Sequence, residues 1–180
     1  MSNEQLFDVQ TLIWLLPIMF ILHDFEEIIM FESWVKKHSD KMIRKLPRNL
    51  SNRVEKQLSM TTAQLAAAVL VVFLVPSSAA VLANQYIIHG SMANVYVFTV
   101  TILTFFIHVF THIGQSIISR SITPGVITSV IVVLPYSFIT INALLDNHII
   151  DWNTIFVCLP FVLILIPYVL FAHWVGKKIA

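Results

Sequence analysis

The chain contains five long, mainly apolar stretches, at about residues 9–34, 62–83, 93–119, 125–145 and 153–175. Each is near the ~20 residues that carry an α-helix across the hydrocarbon layer of a bilayer. No single strand runs that long, so the many β-branched residues inside them do not argue for a sheet. In hydrocarbon every backbone N–H and C=O must be paired, and a helix does this within one segment. Pro17, Pro76, Pro135, Pro160 and Pro167 fall inside the stretches. Neighbouring helices can satisfy the carbonyls that these prolines free. Charged residues make up only 12% of the 180, against roughly 25% in a soluble domain, and the mean hydropathy is +0.81. The expected fold is an all-α integral membrane protein, a bundle of about five transmembrane helices. Residues 1–180 read as one domain, with no linker, repeat or low-complexity tract.

The positions of Lys and Arg orient the bundle. Five spans put residues 35–61, the turn at Arg120 and the C-terminal tail on one side. Those segments hold all 11 basic residues: Lys36, Lys37, Lys41, Arg44, Lys45, Arg48, Arg53 and Lys56, then Arg120, then Lys177 and Lys178. Basic loops stay cytoplasmic, so the N-terminus is expected outside the cell membrane and the C-terminus in the cytoplasm. Met1–Asp8 lacks the basic start of a cleaved signal, so the first span is expected to be retained. A short interfacial helix is expected around Asn52–Met60. The net charge of +1 implies no nucleic-acid partner. Cys158 is the only cysteine; it excludes an internal disulfide and reads as a small apolar residue.

Against this background one stretch stands out, Leu22-His23-Asp24-Phe25-Glu26-Glu27-Ile28. Ionisable groups in the middle of a span cost about 2.5–3.5 kcal/mol each on insertion scales, and they usually have partners. On a helix turning ~100° per residue, His23, Glu26 and Glu27 share one arc and Asp24 points elsewhere. The third span carries a second polar seam, with His108 and His112 four apart, Gln115 three further on, and Thr104 and Thr111 along the same side. Its other face is apolar (Phe106, Val109, Phe110, Ile113).

Depth allows the two seams to meet. His23 lies 13 residues before Lys36, and His108 lies 12 before Arg120; Glu27 and His112 lie 9 and 8 before the same residues. Both helices run in the same direction, so His23 is expected level with His108 and Glu27 with His112, in the cytoplasmic half of the bilayer. Imidazoles and carboxylates together suit zinc first, with iron or manganese as alternatives. The expected metal set is His23, Glu26, Glu27, His108 and His112, with one of Glu26 and Glu27 a ligand and the other a general base. A two-metal site built from facing helices is an alternative. So is a purely structural cluster of hydrogen bonds between helices.

The stretch His23-Asp24-Phe25-Glu26-Glu27 on a first membrane helix resembles the family of small bacterial membrane proteins named for its H-x-x-E-E motif. The later stretch His112-Ile113-Gly114-Gln115, with Arg120 and Thr123-Pro124-Gly125, is similar to that family's second half. The resemblance implies an integral membrane protein with a suspected metal-dependent activity and no established substrate. It carries functional importance onto His23, Glu26, Glu27 and His112; His108 rests on spacing alone. The expected function is an intramembrane metal-dependent enzyme, a hydrolase, acting on a lipid or a membrane-embedded peptide. The competing classes are a small ion or proton transporter using the same residues and a non-catalytic structural protein. Its surroundings are membrane lipids.

Overall fold

The computed structural model describes residues 8–43 and 59–180. Arg44, Lys45, Arg48, Arg53 and Lys56, and most of the interfacial helix expected over residues 52–60, lie outside them. Among the described residues there is no strand. Five long helices follow one another: α1 Val9–Ile43, α2 Thr62–Ile87, α3 Tyr96–Ser119, α4 Val126–Asp146 and α5 Trp152–Ile179. The last four are long and apolar enough to cross a membrane. The protein is an all-α integral membrane bundle.

The helices begin and end close to where the sequence places them, with one difference. α1 was expected to stop near Trp34 and continues to Ile43. A helix satisfies its own backbone in water as well as in lipid, so loss of apolar character does not end it. Lys36 Nζ sits 2.7 Å from Glu32 Oε1 one turn back, and Trp34 stacks on His38 with ring centroids 4.9 Å apart. Such i,i+4 contacts support an exposed turn.

Two proline-bearing helices depart locally from α geometry. In α4, residues Ser129–Val133 form a π-helical turn, and the Leu134 N–H bonds back to Ser129 O. Pro135 follows at once and has no N–H to give to the preceding turn, so the wide turn takes up the register change. In α5, Leu159–Ile164 is 3₁₀-helical around Pro160.

The core lies where α1, α3 and α4 face each other. Ile13, Leu16, Phe98, Ile102, Val109, Val133 and Leu144 are fully or almost fully buried there. α2 packs between α1 and the end of α5. At Gly176 a Cβ would come within 2.3 Å of Gln64 O, so the two backbones touch only because that residue is glycine, as in close-packed membrane helices. Side chains tie the helices through carbonyls and polar groups: Tyr136 Oη donates to Leu12 O at 2.8 Å, Tyr168 Oη to Val71 O at 2.7 Å, and Gln10 Nε2 to Asn84 Oδ1 at 2.7 Å.

α1 also closes the starts of two other helices. The Glu32 carboxylate accepts from Thr62 N at 3.3 Å and Thr62 Oγ1 at 2.7 Å at the N-terminus of α2. The Glu26 carboxylate does the same for α4, accepting from Ile127 N at 3.2 Å and Thr128 N at 2.6 Å. Helix N-termini offer unpaired N–H groups and a positive dipole end, which suits a carboxylate. These two contacts set the register of α1 against α2 and α4, and with it the position of the polar residues between them.

Candidate metal centre

His23 and Glu27 project from α1 on one face, one turn apart. His108 and His112 project from α3, also one turn apart. The fold brings all four together: each offers one ligand atom, and the four atoms lie within 4.8 Å of one another. Glu27 Oε1 is 2.9 Å from His112 Nε2, 3.6 Å from His23 Nε2 and 3.7 Å from His108 Nε2. His112 Nε2 and His108 Nε2 are 2.8 Å apart. Tetrahedral zinc bonded at ~2.0–2.1 Å to nitrogen and oxygen spaces its ligand atoms about 3.3–3.4 Å apart, so these separations bracket the required ones.

The hydrogen bonds around the imidazoles decide which nitrogen faces inward. The Thr128 hydroxyl donates to Glu26 Oε2 at 2.5 Å. Thr128 Oγ1 therefore accepts from His23 Nδ1, 3.0 Å away. That leaves the lone pair on His23 Nε2, which is buried with no protein hydrogen-bond partner. The same logic holds at His108. Thr111 Oγ1 donates to His108 O at 2.7 Å and so accepts from His108 Nδ1 at 3.3 Å, again leaving Nε2 with a lone pair. A metal-ligating imidazole normally gives its other N–H to such an outer partner. Here Glu26–Thr128–His23 is a complete chain of that kind. His112 differs: its Nδ1 is buried without a partner, while its Nε2 faces Glu27.

This placement separates the two adjacent carboxylates. The sequence suggested that Glu26 and Glu27 both join the metal set. Glu27 lies against all three imidazoles, whereas the Glu26 carboxylate is taken up by the N-terminus of α4 and reaches the cluster only through Thr128. Adjacent helical residues diverge by ~100°, and α4 stands on the Glu26 side. Three imidazoles and one carboxylate converge, in place of the three and two that spacing allowed.

Gly125 is needed for this packing on two counts. Its φ is +80°, a left-handed value that glycine adopts without strain. A Cβ there would also lie 2.8 Å from Glu27 Cγ and from His112 Cε1. In the sequence Gly125 opens the fourth apolar stretch and ends the Thr123-Pro124-Gly125 segment of the family resemblance, and nothing in its spacing points to Glu27. Thr128 was likewise not singled out; it sits 105 residues from its His23 partner.

His23 and His112 are nearly enclosed, and His108 is the open side, with 43% of its side chain exposed. Phe105 closes the inner edge, its ring 5.9 Å from that of His23. Of the other polar residues in the seams, Thr104 is turned back onto Val100 O at 2.8 Å, and Gln115 is exposed. Asn142 bonds to Phe138 O in its own helix, and His173 Nδ1 pairs with Val169 O at 2.7 Å. Asp24 is buried and lines a cavity between the helices.

No curated protein and no solved structure matches the chain. Residues 14–140 match the family described as proteins of unknown function with an HXXEE motif. The matched segment runs from α1 into α4 and so contains His23, Glu26, Glu27, His108, His112, Gly125 and Thr128. With its motif forming one wall of the His/Glu cluster, the chain belongs to the HXXEE family.

Proposed function

We propose that the protein is an intramembrane metal-dependent hydrolase with zinc as its ion. The observation that carries this reading is the convergence of three imidazoles and the Glu27 carboxylate from two helices, with His23 Nε2 buried and without a hydrogen-bond partner. A structural cluster would use that nitrogen in a hydrogen bond, because an unpaired buried polar atom costs about 1–3 kcal/mol. His23, His108 and His112 would hold the ion through Nε2. When bound, zinc supplies Lewis acidity and an acidified water at neutral pH.

Glu27 is the carboxylate placed against all three imidazoles, and it takes a proton from the attacking water as general base. Glu26 and Thr128 hold the His23 ring in one tautomer. The half-exposed His108 marks the side from which a substrate enters. The substrate is a lipid or a membrane-embedded peptide, since the site sits among helices that cross the membrane. With the basic segments cytoplasmic, the site lies in the cytoplasmic half of the bilayer.

Elemental analysis of mildly purified protein tests the metal. About one zinc per chain is expected, with none in His112→Ala. Wild-type protein that stays metal-free after incubation with zinc, iron and manganese would refute the reading. Glu27→Gln tests the base: it should keep the ion and abolish lipid or peptide turnover by reconstituted protein, whereas loss of the ion would make Glu27 a ligand.

A further inference from the structure

Beside the His/Glu cluster lies a cavity of about 210 Å³ between α1, α2, α3 and α5. Its walls include Phe20, Leu65, Val69, Val72, Phe105 and Leu165. His23, Glu27 and His108 form part of the same lining, so the cavity and the cluster share a wall. The remaining polar residues of the lining face it with little to offer. Thr101 Oγ1 donates to Val97 O, Thr104 Oγ1 to Val100 O and Tyr168 Oη to Val71 O, and His173 pairs its Nδ1 with Val169 O. Asp24 is the exception. Its side chain is about nine-tenths buried, it lines the cavity, and its Oδ2 has no hydrogen-bond partner.

A carboxyl group in a membrane interior is costly unless something pairs with it. Among the described residues no hydrogen bond reaches this oxygen, and the carboxyl group belongs to the cavity lining, so its partner is best sought in what enters the cavity. The walls discriminate between the two substrate classes open to an intramembrane site. A peptide segment carries an N–H and a C=O at each residue, and apolar walls would leave most of them unsatisfied. An aliphatic chain has no such requirement and gains from every contact.

We infer that the cavity is the binding site for a single-chain lipid, with its aliphatic chain between α2 and α5 and a headgroup hydroxyl or amide N–H donating to the Asp24 carboxyl group. This rests on the proposed hydrolase reading for its consequence, because a headgroup on Asp24 sits next to the wall formed by His23, Glu27 and His108. Asp24 is a binding residue here and takes no part in bond breaking.

The inference can be tested without turnover and without the ion. The probe is a non-hydrolysable 1-O-hexadecylglycerol carrying a diazirine in its chain, added to full-length protein in nanodiscs. After illumination, labelled peptides are mapped by mass spectrometry, with and without a chelator. Labelling should fall on cavity residues such as Val72, Val69 or Leu165, be competed by unlabelled monoacylglycerol, and persist in the chelator. Asp24→Leu should lower it about tenfold, and Asp24→Asn, which keeps an acceptor oxygen, by less. Val72→Trp and Thr104→Trp fill the cavity from two walls, so either one that folds should abolish labelling.

Labelling confined to lipid-facing residues, or unchanged in the tryptophan variants, would overturn the inference. Competition by a hydrophobic transmembrane peptide but not by monoacylglycerol would overturn it in favour of a peptide. Cavity labelling of a protein that binds no metal would uphold the lipid site while removing the hydrolase reading.

Discussion

At the residue scale, the unusual feature is that neighbouring glutamates in one motif do different things. Glu27 faces three imidazoles, and Glu26 faces the start of α4 and acts through Thr128 on His23. On the proposed metal reading, the consequence is measurable as zinc affinity. Replacing an outer partner of a metal-bound histidine typically weakens binding about 10–100-fold. Thr128→Val removes both the donor to Glu26 and the acceptor for His23 Nδ1, and zinc titration should show a loss within that range. Glu26→Gln should lose less, because the amide oxygen can still accept from the N-terminus of α4. Equal affinity in Thr128→Val and wild type would mean that the His23 tautomer is set in some other way.

At the element scale, the site depends on how closely α1, α3 and the start of α4 approach. The turn from Arg120 to Gly125 makes that approach. Arg120 ends α3 in a left-handed conformation with φ of 51°, and Gly125 opens α4 at φ of +80°. Thr123 is buried between them, its Oγ1 2.5 Å from Ser116 Oγ. Gly125→Ala combines left-handed strain of about 1–2 kcal/mol with a Cβ pressed onto Glu27 and His112. The expected outcome is a protein that still inserts and runs as wild type on size exclusion, has a lower melting temperature, and binds zinc at least about tenfold more weakly. If Gly125→Ala binds zinc as tightly as wild type, the contact between the turn and the cluster is not important to the ligand geometry.

At the scale of the whole molecule, the bundle places a polar centre between helices whose outer surfaces are apolar. Ile29, Leu70, Ile118, Ile131 and Leu163 are all exposed, as lipid-facing residues should be. From the distribution of Lys and Arg we propose that the basic segments face the cytoplasm. Single cysteines at Asn84 and Asn147 in a Cys158→Ser background should react with an impermeant reagent added to intact cells, and one at Ser51 should react only after lysis. External labelling at Ser51 would invert the assigned topology and move the proposed site to the opposite half of the bilayer.

Much of this was readable in the sequence. A helix in lipid must pair its own backbone, so hydropathy alone located the five helices and their ends to within a few residues, apart from α1. The His23–Glu27 and His108–His112 pairs were legible for the same reason, since a regular helix converts a spacing of four into a shared face. Counting back from the basic residues then put the two pairs level. What lay beyond the sequence was every contact made by a third helix. Glu26 and Glu27 are chemically identical and adjacent, and only the position of α4 sends one to a helix N-terminus and leaves the other with the imidazoles. Gly125, Thr128 and the Asp24 cavity are likewise products of helices packed side by side. Their distances follow from how side chains of several segments fill a common space, which no periodicity within one segment encodes.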